Sequence, residues 1–318
     1  MSKSPVVSII TATYNRSDVL RLAIASVLRS TFRDWELLVI GDACTDETKQ
    51  VVESFRDSRI MFHNLPFNVG EQSGPNNEGV RRAQGRYLAF LNHDDLWLPN
   101  HLSVGLEHLQ NGAADLVFGM AIRFEPNNRR LLIGAAPSGR YHPNFGVPAS
   151  CWLFRRALAK RVGSWKFYQE SYAVPSQDWL FRAYKAGARL EQTGRVTLLN
   201  FPSSLQPGSY QGRKDQWQQK YFTAMRKDDD FLDKELTLLA EHMEVERRWS
   251  IGRLLRSAVR NSIVRLSSAI GYHPAAVTEF LLGLRKGQRV DKLRERRGLA
   301  PLERRRKRGS LSWETTGC

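Results

Sequence analysis

The chain has 318 residues, 42% hydrophobic and 10% aromatic. That is enough for one large globular α/β unit with an appendage, and it excludes a disordered polymer. The three cysteines, Cys44, Cys151 and Cys318, have neither zinc spacing nor a disulfide framework, and no apolar run approaches the ~20 residues of a membrane helix. Of the net charge of +16, residues 247–308 carry +14, from 18 Lys/Arg against four acids, so the rest of the chain is close to neutral. Met1–Ser4 is polar and Val6–Ala12 too short for a signal peptide, which predicts a reduced, cytoplasmic protein.

In chain order, Val6–Ala12 (VVSIITA) predicts a buried strand. Ser17 then opens a helix whose stripe is Val19, Leu20, Leu22, Ala23, Val27 and Leu28. Trp35–Ile40 is a second strand ending in Gly41-Asp42, and a short helix follows from Asp46 to Phe55. Arg59–His63 reads as a third strand, Asn76–Ala83 as a helix and Tyr87–Leu91 as a fourth strand. A helix runs from Pro99 to about Gln110, and Ala114–Met120 is the next strand. Ile122–Pro148 is irregular around a short apolar segment, Leu131–Ala136, and its length marks a binding surface rather than a connector. Trp152–Val162 ends in a helix stopped by Gly163, and Asp178–Ala186 is a helix capped by Gly187. Val196–Phe201 is a late strand, and Pro202–Gly212 is a turn-rich loop able to close over a ligand. The alternation of strand and helix predicts a mostly parallel sheet with right-handed crossovers.

From Asp215 onward the pattern is helical, which places a catalytic unit at 1–214 and a basic helical extension at 215–318. Within the extension, Ile251, Leu254, Leu255, Ala258, Val259 and Leu266 oppose Arg253, Arg256 and Arg260, a basic amphipathic helix.

Four polar clusters punctuate the strand ends and one helix start: Thr11–Asn15, Gly41–Asp46, Asn92–Asp95 and Ser176–Trp179. In a parallel sheet the first three share one edge, where open α/β sheets bind ligands. Tyr14 offers a face for stacking on a base, and Asp42 a carboxylate for its imide N–H. Asp94-Asp95 offers hard oxygens for Mg²⁺ or Mn²⁺ bridging two phosphates, although Asp95 could equally be an exposed helix-start residue. Asp46 reads as a turn and cap residue, and His93 as a spacer. Trp97, Trp152, Trp165 and Trp179 fit either core packing or a platform for sugar stacking. Arg213 and Lys214 are either a diphosphate clamp or solvated charge.

With these motifs in order, the sequence resembles family 2 glycosyltransferases of the GT-A fold, the nucleotide-diphospho-sugar transferases that include bacterial polysaccharide enzymes. VSIITATYNR resembles that family's opening strand, VIGDACTDET its VDDGSTDGT element, FLNHDD its DXD position and SQDW its ED-type motif, over roughly residues 5–205. The resemblance implies donor contacts from Thr11, Ala12, Tyr14, Asp42 and Asp94, a metal ligand in Asp95 and a general base in Asp178. It implies a UDP-linked nucleotide-sugar donor, a saccharide or lipid-linked acceptor, and inversion by single displacement. Gly41, Asn76, Asn92 and Gln177 depart from the family pattern. A nucleotide-binding module without transfer activity remains an alternative, whereas a dinucleotide oxidoreductase lacks its G-x-G-x-x-G turn. For residues 247–308 the resemblance favours an anionic membrane surface, with a peripheral location on the inner face of the cell membrane. No recognition motif supports nucleic acid there, and a solvated or oligomeric extension is the plain reading.

Overall fold

The structure, a computed structural model, describes residues 4–212, 215–248, 261–264, 266, 267, 270–300 and 302. The predicted amphipathic helix over 251–266, the basic run 303–308, and Arg213 and Lys214 lie wholly or largely outside those residues.

Four strands, β1 (Val7–Thr13), β2 (Trp35–Gly41), β3 (Ile60–Asn64) and β4 (Tyr87–Phe90), pair in parallel in the order β3-β2-β1-β4. Their apolar runs have the composition of strands covered on both faces, and every residue of β2 and β4 is buried. The covering helices are α1 (Ser17–Leu28), α2 (Thr48–Glu53) and α3 (Ser73–Arg82). The stripe predicted for α1 is the buried one, with Leu28 at its edge.

Beyond β4 the sheet becomes mixed rather than mostly parallel. After the two-residue β5 (Leu96–Trp97) and α4 (His101–Asn111) come β6 (Leu116–Phe124), β7 (Arg130–Ile133), β8 (Trp152–Arg155) and β9 (Leu190–Asn200). Strand β8 runs antiparallel between β4 and β6, β6 is parallel to β9, and β5 and β7 are antiparallel additions. The irregular stretch after Ile122 therefore contains a hairpin, because Arg130–Ile133 pairs with Ala121–Phe124. Strand β9 begins six residues earlier than its apolar run, in the half-exposed segment Leu190–Arg195.

Two helices follow β8, α5 (Arg156–Val162) and α6 (Pro175–Lys185). The four tryptophans are core: Trp97, Trp152, Trp165 and Trp179 are 4% exposed or less. Phe90 meets Trp165 edge-on at 4.9 Å, and Trp152 stacks on Trp179 at 5.7 Å. No sugar platform is left for them to form. After residue 215, α7 (Gln216–Lys227) and α8 (Phe231–Arg248) bury Tyr221, Phe222, Met225, Phe231 and Leu239 with Phe124, Leu199 and Phe201 of the sheet region. The extension continues through α9 (Pro274–Leu281) and α10 (Gln288–Arg296). Among the described residues no helix is long and apolar enough to cross a membrane.

Candidate active site

The register of the parallel strands sets the site. Thr13 pairs with Gly41 and Gly41 with Asn64, so β1, β2 and β3 end level. The β4 end joins them through Leu91, whose N–H donates to the Ile10 carbonyl (2.9 Å). Above this edge lies a cavity of about 290 Å³, walled by Ala12, Tyr14, Asp42, His93 and Asp94 among others. Thr11 lies beneath it, 1% exposed, with a buried Oγ1 that has no partner among the described residues.

Asp42 is 4% exposed and held by two backbone donors, Val69 N–H to Oδ1 (2.6 Å) and Gly70 N–H to Oδ2 (2.8 Å). Burial nevertheless dominates and pushes its carboxyl up to about 6. The nearby Glu71 is pushed up to about 7, again by burial before its bonds to Ser73 oppose it. The departure at Gly41 has a steric cause. A Cβ there would run into Asn64 Oδ1, the atom that accepts the Cys44 N–H at 2.8 Å.

Asp46 shapes the loop rather than the cavity. Its Oδ2 accepts the Ser17 N–H that begins α1 (3.0 Å), and its Oδ1 the Thr48 N–H that begins α2 (3.1 Å).

At the end of β4 the two neighbouring carboxylates are placed differently. Asp95 is fully buried and is not part of the cavity wall. Its Oδ1 accepts from Asn200 Nδ2 (2.8 Å) and Phe201 N (3.1 Å), its Oδ2 from Ser150 Oγ (2.6 Å) and Asn92 Nδ2 (3.0 Å). Four donors saturate a carboxylate. Asp94 lines the cavity and accepts one bond there, from Ser203 N–H to Oδ2 (3.2 Å). The expected metal ligand is thus the closed member of the pair, and its supporting neighbour is the open one.

His93 bridges the two sides of the cavity. Its Nδ1 lies 3.1 Å from the Ala12 carbonyl, which can only accept, so Nδ1 carries the proton and Nε2 accepts from Tyr210 Oη (3.3 Å). Burial lowers its pKa, which favours this neutral form. Tyr210, from the loop expected to close over a ligand, lies near-parallel to Tyr14 at 6.4 Å. Only the turn-rich composition of Pro202–Gly212 hinted at it.

Asp178 sits in the first turn of α6, where Arg182 Nε donates to Oδ2 (2.9 Å) and Ser171 Oγ to Oδ1 (3.2 Å). It is outside the cavity at the strand ends, whose wall takes Val174 and Pro175 from the start of this helix. A second cavity of about 640 Å³ opens on the other side of Val174, lined also by Gln177, Phe145, Val264, Pro274 and His273. Asp178 itself lines neither cavity; His273, in the wall of the second, is pushed down to about 4 by burial, against an opposing pull from Asp178. The turn carrying the expected base lies between two cavities.

Divalent ions of the Mg²⁺ class commonly bind through one or two protein carboxylates plus substrate phosphates. Among the described residues no three His, Cys, Asp or Glu side chains cluster to hold a metal, but a cavity-facing Asp94 suits that lean arrangement.

Comparisons with known proteins bear on the family and the fold. The family described as Glycosyl transferase family 2 matches residues 8–163. The Escherichia coli UDP-Glc:alpha-D-GlcNAc-diphosphoundecaprenol beta-1,3-glucosyltransferase WfgD is 33% identical over 41% of this chain and 49% of its own. A Campylobacter jejuni GalNAc(5)-diNAcBac-PP-undecaprenol beta-1,3-glucosyltransferase is 34% identical over 39% of this chain and 40% of its own. The chain thus spans about half or less of these curated relatives. In fold it is similar to S. aureus TarS 1–349 in complex with UDP-GlcNAc (TM-score 0.54, 18% identity, 77% of this chain and 73% of that one). It is also similar to the mannosyltransferase PcManGT from Pyrobaculum calidifontis in complex with GDP-Man and Mn²⁺ (TM-score 0.52, 14% identity, 89% and 88%). The fold is GT-A, and residues 8–163, which include the strand ends that wall the cleft, match glycosyl transferase family 2.

Proposed function

We propose that this protein is an inverting glycosyltransferase. It moves a sugar from a nucleotide-sugar donor, UDP-linked, to an acceptor hydroxyl in cell-surface polysaccharide or glycolipid synthesis. The convergence of Tyr14, Asp42 and Asp94 on one cavity at the sheet edge carries this conclusion. Tyr14 stacks on the base and the ionised Asp42 accepts its imide N–H. Asp94, rather than Asp95, is the carboxylate that would hold Mg²⁺ or Mn²⁺. When bound, the ion would offset charge on the departing diphosphate.

Asp178 takes the proton of the acceptor hydroxyl, which comes from the side of the second cavity. The freed oxygen attacks the anomeric carbon opposite the diphosphate, the bond from that carbon to the phosphate oxygen breaks, and the electron pair leaves with UDP. One such displacement inverts the configuration. A thermal-shift series tests the donor assignment: UDP should raise the melting temperature, and by more with Mn²⁺ present. No shift with any nucleotide would overturn it.

The relatives named for undecaprenol-linked substrates support a lipid-linked acceptor, and hence work at an anionic membrane surface. At the end of α9, Phe280, Leu281 and Leu282 are 67–68% exposed and are followed by Arg285 and Lys286. Apolar side chains beside basic ones suit insertion at an acidic headgroup layer. Pelleting with phosphatidylglycerol vesicles should drop when Phe280 and Leu281 are both replaced by Asp. Unchanged pelleting would reject this surface.

A further inference from the structure

The cleft is walled on one side by residues that the sequence order places far from it. Helix α10 folds back so that Leu293, Arg294 and Arg297 line the donor-side cavity. The segment is anchored at several points. The Gly287 N–H donates to Ser171 O (3.0 Å), Tyr168 Oη to Asp291 Oδ1 (3.0 Å), and Leu302 packs directly on Gly70. It also holds the closing loop, because the Gly208 N–H donates to Arg296 O (2.9 Å) and the Tyr210 N–H to Arg297 O (3.1 Å).

Of the two arginines Arg294 is buried and Arg297 half-buried. Arg294 is 7% exposed; its Nη1 donates to Gly70 O and its Nη2 to Ala300 O (2.9 Å), both neutral carbonyls. Its Nε and the Nε of Arg297 are buried without a hydrogen-bond partner, and neither guanidinium has an ion pair among the described residues. Another buried cation, Arg16, is 2% exposed and lies over the Tyr210 ring at 5.2 Å; its Nε is paired with Asp18 Oδ1 (3.1 Å), while its Nη1 has no hydrogen-bond partner among the described residues. Burying cations with idle donors is costly unless an anion completes the arrangement. A planar guanidinium fork matches phosphate oxygens in particular.

We propose that Arg294 and Arg297 form the diphosphate-binding wall of the donor cleft, so that the C-terminal extension completes the active site. This rests on the nucleotide-donor assignment above. Asp42 and Tyr14 then read the base, and the two arginines meet the diphosphate, Arg294 from its seat on Gly70 next to Asp42. Any ion held by Asp94 is a separate contribution.

Isothermal titration of the full chain with UDP and with uridine, both without divalent cation, tests the wall. The wild-type protein should bind UDP more tightly than uridine. Arg297→Ala should lose roughly tenfold or more in UDP affinity with uridine affinity unchanged, and Arg297→Lys should recover part of it. Arg294→Ala should behave like Arg297→Ala; if it instead undocks α10, the Arg297 pair still decides. Tighter binding of both ligands by the alanine variants would make the segment a plug and overturn the proposal, as would UDP affinities equal to wild type. A wild-type protein that binds neither ligand would overturn the donor assignment itself, and this wall with it.

Discussion

At about pH 7.5, an Asp95→Asn variant is expected to melt roughly 5–10 °C below the wild-type protein, whereas Asp94→Asn melts at or above it. The adjacent carboxylates differ in what surrounds them. Asp95 meets four donors, from Asn200, Phe201, Ser150 and Asn92. An asparagine there keeps one acceptor oxygen and turns an NH₂ group toward two of those donors. Losing two buried bonds to a charged group costs on the order of 2–4 kcal/mol once relief from burying the charge is deducted. Asp94 spends one oxygen on the Ser203 N–H, and an asparagine carbonyl replaces that bond.

The pH dependence of the Asp94→Asn gain has a definite sign. Burial, and after it the charge of Asp94, raise the Asp95 pKa. A carboxyl with a raised native pKa binds its proton more tightly when folded, so ionised Asp95 lowers stability above that value. Asp94→Asn removes the neighbouring repulsion. Its gain is therefore present at neutral pH and fades as pH falls through the raised pKa and Asp95 takes up its proton. In function the order reverses: Asp94→Asn should abolish the Mn²⁺-dependent part of UDP binding and lower transfer on the order of 10²-fold or more. If Asp94→Asn keeps that Mn²⁺ dependence and Asp95→Asn loses it without loss of stability, the roles must be exchanged.

The different surroundings of the two carboxylates show where sequence reasoning stops. Strands β1, β2 and β4 are legible because apolar runs covered on both faces end abruptly in polar residues, and register then brings Tyr14, Asp42 and Asp94 together. Within Asn92-His93-Asp94-Asp95, local sequence cannot say which carboxylate is closed. Ser150 and Asn200 decide it, 55 and 105 residues away along the chain. The polar start of β9 and the hairpin at β7 escape for a similar reason, since partners rather than local pattern make Leu190–Arg195 and Arg130–Ile133 strands. Arg294 sits in a run of charge that reads as solvated. Only the fold-back of α10 onto Gly70 makes it a cleft residue.

Asp178→Asn is expected to lower kcat for transfer by about 10²–10⁴-fold, the usual worth of general-base help, while UDP affinity stays at the wild-type value. Binding and turnover separate because Asp178 is absent from the donor-side wall, and its neighbour Gln177 lines the second cavity. Its surroundings suit a base that must be held in place. Arg182 pairs with one oxygen (2.9 Å) and is itself fixed by the carbonyls of Val162 and Ser164 (both 2.7 Å), and Ser171 donates to the other oxygen (3.2 Å). Asparagine keeps the shape and can still accept from Arg182, so the fold should be undisturbed and the melting temperature near that of wild type. The loss then belongs to proton transfer alone. A mutant that turned over normally would leave Asp178 as an anchor for Arg182, and the cleft would bind a nucleotide without this residue serving as base.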